Sequence, residues 1–305
     1  MAALRIVYWS ADQDAAAWIP GLQAAVPGAD VALWTPGAAA ADYAVVWKPP
    51  QQLLDEQGRH LKAIFNTGAG VDAILKLRLP PHVPVIRLDD AGMSVQMAEY
   101  VCHAVIRHFR EFDAYDRDTD NGKWSFRKPR SRHEFPVGVL GERVARDVAQ
   151  FDFPVIGWSQ SPKDIPGVAC YHGKDQLNDF LADTRVVVCL LPLTPDTENI
   201  LNADTLARLR PGGYVINVAR GAHLVDADLI ALIDSGHLAG AQLDVFRTEP
   251  LPKDHPFWAH PRIAITPHTS ARTLRSESIA QIARKIEALE CGQAVAGVVD
   301  MDRGY

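Results

Sequence analysis

Apolar positions along this chain fall into short β-branched or aromatic runs separated by stretches of helical period. Residues 4–9, residues 31–34, Tyr43–Trp47, Ala63–Asn66 and residues 85–88 predict strands, and residues 12–25 and 53–60 between them predict helices. Such alternation predicts a small parallel sheet with helices on its faces. A long amphipathic stretch follows over about residues 95–117, with Met97, Val101, Val105, His108, Phe112 and Tyr115 at three- and four-residue steps. It predicts one helix bridging two domains. Between residues 135 and 265 come six further apolar runs, PVGVLG, PVIGWS, RVVVCLLP, YVINVARG, AGAQLDVF and RIAITPH, most of them separated by helical stretches. These predict a second, larger parallel sheet. Beyond His268, one stripe of Ile279, Ile282, Ile286 and Leu289 predicts a last helix that ends with Gly292 at its C′ position and returns to the first domain.

The expected fold class is therefore α/β, with two doubly wound parallel-sheet domains and an active site in the cleft between them. One domain is discontinuous, residues 1–91 plus 275–305, and the other is residues 92–274. A length of 305 residues suits two cores.

Composition adds mainly exclusions. With 48% hydrophobic and 22% charged residues the chain reads as an ordinary soluble protein. A net charge of −6 and no long basic run argue against nucleic acid and anionic membranes as partners. No apolar stretch approaches the roughly 20 residues that span a bilayer. The opening MAALRIVYWS runs straight into a strand rather than a signal peptide, so the expected location is the cytoplasm. Cys102, Cys170, Cys189 and Cys291 are far apart and lack metal-ligand spacing. They read as free thiols in a reducing compartment, with no metal site.

Ligands of open parallel sheets sit at the carboxyl ends of the strands. Those ends here carry Gly141, Ser159, Pro192, Arg220, Asp244 and His268. A guanidinium such as that of Arg220 can pair with a carboxylate through two hydrogen bonds and holds its charge at any physiological pH. Glu249 lies just beyond the strand that ends at Asp244. A carboxylate beside His268 would favour its imidazolium and fix its ring, which suits protonation of a carbonyl oxygen. Spacing alone leaves open whether Glu249 touches His268.

The ordered set FNTGAGVD (65–72), NVARG (217–221), LDVFRTEP (243–250) and TPHTSA (266–271) resembles the D-2-hydroxyacid dehydrogenases. WKPP (47–50), AGMSVQMAEY (91–100) and the closing VDMDRGY are similar to the glyoxylate/hydroxypyruvate reductase A branch of that family. The resemblance covers essentially the whole chain. It implies a flavodoxin-like substrate domain and a Rossmann cofactor domain, and a homodimer formed through the latter. It assigns substrate binding to Arg220, acid–base chemistry to His268 and orientation of that histidine to Glu249. The backbone N–H groups of Ala69 and Gly70 would bind the substrate carboxylate, with Trp47 and Lys48 lining the pocket. Met93 and Asp244 would lie near the nicotinamide, with Gly141, Leu191, Pro192 and Val218 as further cofactor positions.

Two departures qualify the resemblance. The fingerprint G-x-G-x-x-G brings backbone amides to the pyrophosphate at the first strand–helix turn. Here the sequence is VGVLGERVA (137–145), with one glycine after the strand and five positions fewer than the family pattern. Two readings stay open: a turn that is truly shortened, or loop residues missing from the recorded sequence. The second departure is at the end of the next strand, where NAD enzymes place an acid on the ribose 2′-hydroxyl. This chain has Ser159, Gln160, Ser161 and Lys163, with no carboxylate before Asp164, which suits the 2′-phosphate of NADPH, with NAD as a possible substitute. The expected function is NADPH-linked reduction of small 2-oxo acids, glyoxylate to glycolate and hydroxypyruvate to D-glycerate. The alternatives are an inactive dehydrogenase-like scaffold, if the short turn is real, and an NAD-dependent D-2-hydroxyacid dehydrogenase.

Overall fold

The computed structural model describes residues 3–140 and 142–304. The chain divides into two compact units, Met1–Met93 with Arg272–Tyr305, and Ser94–Ala271.

In the first unit β1 (Arg5–Ser10), α1 (Ala15–Ala25), β2 (Asp30–Leu33), β3 (Tyr43–Trp47), α2 (Gln51–Gln57), β4 (Ala63–Asn66) and β5 (Val85–Arg87) follow in order. All pairings are parallel and the strand order is β2-β1-β3-β4-β5. Strands covered on both faces must be apolar throughout, and β3 and β4 are buried along almost their whole length.

The second unit takes α3 (Met93–Phe109) from its second residue onward, then α4 (Phe112–Asp120), β6 (Val137–Val139), α5 (Glu142–Ala149), β7 (Val155–Ser159) and β8 (Ala169–His172). It continues with α6 (Leu177–Asp183), β9 (Val186–Cys189), α7 (Ala203–Leu206), β10 (Gly213–Asn217), α8 (Asp226–Asp234), β11 (Leu238–Leu243) and β12 (Ile263–Ile265). Its seven parallel strands are ordered β12-β11-β10-β9-β6-β7-β8. The order reverses between β6 and β9, the switch point at which such sheets open for a ligand. Two apolar layers cover the sheet, one built around Val101, Val105 and Phe135, the other around Phe180, Leu229 and Phe257. Last in the chain, α9 (Arg275–Glu290) packs Ile279, Ile282 and Ile286 into the core of the first unit, and Gly292 follows its C-cap with φ of +71°.

Two expectations need correction. The predicted helix over residues 95–117 is two helices, because Glu111 adopts left-handed backbone (φ +57°) and breaks the run between α3 and α4. Its apolar period continues across the break, and period alone does not register one residue turning the axis. The second sheet also has seven strands rather than six. The extra one, β8, lies at the sheet edge with its side chains half-buried or exposed, so it lacks the apolar run of its neighbours.

Candidate active site

Three strand ends of the second unit converge on one group of charged side chains. Arg220 follows β10 in extended conformation (φ −143°, ψ 146°), and one guanidinium nitrogen donates to the Ala219 carbonyl at 2.7 Å. The next residue has to be glycine. A Cβ on Gly221 would lie 1.9 Å from the Phe246 carbonyl carbon and 2.2 Å from the Arg247 nitrogen. The segment that carries Arg220 therefore lies directly on the segment that leads to Glu249.

Glu249 accepts from the Phe246 backbone N–H at 2.9 Å through Oε1 and contacts His268 Nδ1 at 2.7 Å through Oε2. Partial burial works to raise its pKa, but the His268 hydrogen bond, the Phe246 N–H and the charges of His268 and Arg220 outweigh it, so the carboxyl sits below the ordinary glutamate value. The His268 side chain is 46% exposed, so the pair stabilises the fold by at most about 1 kcal/mol. Its effect is to orient the imidazole. The other ring nitrogen, Nε2, has no hydrogen-bond partner among the described residues.

His268 has left-handed backbone, φ +52°, which costs an ordinary residue roughly 1–2 kcal/mol. Asp244 holds it there. The Asp244 carbonyl accepts the His268 N–H at 2.8 Å. Its carboxylate accepts from Thr266 Oγ1, the Thr269 N–H and the Ser270 N–H at 2.5, 2.9 and 2.8 Å. The residue is 0% exposed. A fully buried carboxylate has to be satisfied by hydrogen bonds, and here these bonds secure the loop that carries His268.

His223 was not singled out in the sequence. It is fully buried, with Nδ1 3.0 Å from the Arg220 carbonyl and Nε2 3.3 Å from that of Pro192, and so ties the ends of β9 and β10 together. Val218 is buried in the core, which leaves its backbone as the part available to a ligand. Leu191 and Pro192 follow β9 at the sheet edge. At the end of β7 the Ser159 hydroxyl donates to the Ser161 carbonyl at 2.7 Å, and Gln160, Ser161 and Lys163 are exposed.

In the sequence only Leu140 and Gly141 stand between β6 and α5, which begins at Glu142. Gly141 lies outside the described residues. The start of α5 lies after the carboxyl end of β6, and a helix N-terminus in that position favours an anion. A dinucleotide therefore finds the strand ends, the hydroxyl and ammonium groups of β7 and a helix N-terminus. It does not find the three-glycine cradle.

The remaining expected residues gather in the first unit, at the ends of the adjacent strands β3 and β4. Asn66 Nδ2 donates to the carbonyls of Gly68 and Gly70 at 2.8 and 3.1 Å. A carbonyl and the following N–H point in opposite directions across a planar peptide, so the Ala69 N–H faces away from Asn66. Neither the Ala69 nor the Gly70 N–H has an acceptor among the described residues. The ring of Trp47 lies so close to Gly68 that a Cβ there would be 2.3 Å from Cζ3, and Lys48 Nζ sits 5.5 Å from that ring's centroid. Met93 opens α3, with its sulfur 3.7 Å from the Thr273 hydroxyl, which also lies 3.2 Å from the Thr67 carbonyl. Asn66 and Thr273 escaped the sequence reading because nothing in their spacing marks them.

The sequence profile of the D-isomer specific 2-hydroxyacid dehydrogenase NAD binding domain matches residues 102–270. The chain belongs to the D-isomer specific 2-hydroxyacid dehydrogenase family. Members of this family are NAD(P)-linked oxidoreductases. Among its relatives, a glyoxylate/hydroxypyruvate reductase A from Serratia proteamaculans is 46% identical over 99% of this chain and 100% of its own length. One of the same description from Photorhabdus laumondii is 44% identical with the same coverage. A family member from Xanthobacter autotrophicus, solved with NADPH and MES, superposes with a TM-score of 0.94 at 41% identity over 100% of both chains. An NADPH-dependent glyoxylate/hydroxypyruvate reductase from Sinorhizobium meliloti, solved with NADP and sulfate, superposes with a TM-score of 0.90 at 34% identity, covering 99% of this chain and 100% of its own. The first two alignments run over 314 positions against the 305 residues here, so they contain gaps within this chain. No described helix is long and apolar enough to cross a membrane.

Proposed function

We propose that this chain reduces small 2-oxo acids with NADPH, glyoxylate to glycolate and hydroxypyruvate to D-glycerate among them. The observation that carries the reading is the His268–Glu249 contact at 2.7 Å beside Arg220, with Nε2 of the ring unpaired. Arg220 pairs with the substrate's carboxylate or carbonyl. The N–H groups of Ala69 and Gly70 hold the carboxylate, and Trp47 and Lys48 shape the pocket. A bound nicotinamide supplies the hydride to the carbonyl carbon. His268, oriented by Glu249 at Nδ1, delivers a proton from Nε2 to the carbonyl oxygen. Residues 1–93 with 272–305 thus form the substrate domain and residues 94–271 the dinucleotide domain.

Support for NADPH comes from the end of β7, where Ser159, Gln160, Ser161 and Lys163 offer polar and positive groups to a 2′-phosphate and no carboxylate precedes Asp164. Relatives from X. autotrophicus and S. meliloti were solved with NADPH and NADP. Leu191, Pro192, the Val218 backbone and Met93 are assigned to the nicotinamide end, and NAD is the weaker substitute. The chain acts as a cytoplasmic homodimer associated through the dinucleotide domain. Trp124 and Phe126 support that association: they form an edge-to-face pair 90% and 88% exposed, on a segment anchored by Arg127 to Asp118 at 2.7 Å, and exposed apolar patches of this kind mark association sites.

The sequence VGVLGERVA (137–145), without the further glycines of the fingerprint, favours one second reading, a dehydrogenase-like scaffold that binds a partner without catalysis. Consumption of NADPH with glyoxylate or hydroxypyruvate, with NADH run alongside, separates the two. Turnover favouring NADPH is expected. No turnover, together with no change in NADPH fluorescence on mixing, would overturn the reductase and favour the scaffold.

A further inference from the structure

Behind His268 runs a buried chain of side chains that the proposed chemistry does not use. Gln242 Nε2, from β11, donates to Tyr100 Oη of α3 at 2.7 Å. Tyr100 Oη lies 2.6 Å from Thr266 Oγ1, just past β12, and Thr266 Oγ1 donates to Asp244 Oδ1 at 2.5 Å. The proton positions follow from the ends of the chain. A carboxylate only accepts, so the Thr266 proton points at Asp244. The Thr266 oxygen then accepts from Tyr100, and the Tyr100 oxygen accepts from the Gln242 amide. Each group has one role, and Gln242 and Asp244 are buried, so an unmade link would leave a polar group without a partner.

The chain ends on the residue that brackets His268. Asp244 holds Thr266 on one side of the histidine and the N–H groups of Thr269 and Ser270 on the other, and its carbonyl holds the His268 N–H. Through these contacts the left-handed backbone at His268 is tied to α3.

We infer that Tyr100 and Thr266 are positioning residues for His268, fixing through Asp244 the angle at which its ring meets Glu249 and the substrate oxygen. This inference rests on the reading of His268 as the proton donor. Neither side chain needs to touch the substrate, so their loss lowers kcat and leaves substrate binding nearly unchanged.

The test measures kcat and KM for the oxo acid with NADPH in the wild type, Tyr100→Phe, Thr266→Val, Thr266→Ser, His268→Asn, and Tyr100→Phe combined with His268→Asn, with Tm for each. Small misplacements of a reacting group cost one to two orders of magnitude. Tyr100→Phe and Thr266→Val are therefore expected to lower kcat about tenfold with KM within about twofold. Thr266→Ser restores the hydroxyl and the rate. In the His268→Asn background Tyr100→Phe lowers kcat no further, because the group it positions is gone. An equal loss in both backgrounds would overturn the positioning role, as would unchanged kcat in Tyr100→Phe and Thr266→Val. If Tyr100→Phe does not fold, the Thr266→Val and Thr266→Ser pair decides alone. Unchanged kcat in His268→Asn itself would instead overturn the reading of His268, so the two failures are distinguishable.

Discussion

At the residue scale the chemistry turns on the carboxylate of Glu249 against His268. Glu249 has its pKa lowered in the folded chain, so it contributes stability that is present above the ordinary glutamate range and is lost as pH falls through the lowered value. Acid should therefore weaken the pair, and activity should fall with it. Glu249→Gln keeps the shape and weakens the contact that orients His268. Its kcat is expected to fall about 10- to 100-fold, with the loss of activity in acid that comes from protonating Glu249 abolished. A pH profile of the variant checks both. Arg220, Glu249 and His268 were legible because each follows a buried strand within a short motif. His223, Thr273, Asn66 and the Tyr100–Thr266 link were not. They are polar residues whose partners lie far along the chain, such as Tyr100 and Gln242, and no local period encodes such a contact.

At the element scale most strands were legible, because a sheet covered on both faces demands uninterrupted apolar runs. The exceptions follow the same physics. β8 sits at an edge and needs no such run, and the α3–α4 break depends on one backbone angle at Glu111. Two predictions belong here. Gly221→Ala would drive a Cβ into the Phe246–Arg247 backbone. A loss of about 1–3 kcal/mol is expected, with Tm falling by several degrees, measured by thermal unfolding. The substitution should also raise KM for the oxo acid by shifting Arg220. The short sequence between β6 and α5 gives the second prediction. Inserting five residues to restore G-x-G-x-x-G ahead of Glu142 returns backbone N–H groups to the pyrophosphate, and is expected to tighten NADPH binding about tenfold or more in a fluorescence titration. Unchanged affinity would show that the N-terminus of α5 serves the phosphates without the cradle.

For the whole molecule, two parallel-sheet units and their family were readable from strand order and from four motifs in sequence, and the comparisons agree with that reading. The homodimer was implied only by the family resemblance, not by any residue pattern. Trp124 and Phe126 look like core residues by composition, and only the fold reveals them on the surface. Replacing both by alanine is expected to convert a dimer into a monomer in sedimentation at assay concentration, and a wild-type chain that sediments as a monomer would refute the proposed association. The most direct test of the central claim follows the hydrogen itself. NADPH carrying deuterium at the transferable position is mixed with glyoxylate and either the wild-type chain or His268→Asn, and the product is examined by mass spectrometry. The account predicts singly deuterated glycolate from the wild type, with the rate lowered about 10²- to 10⁴-fold in the variant. Unlabelled product, no product from the wild type, or equal rates from the two chains would contradict it.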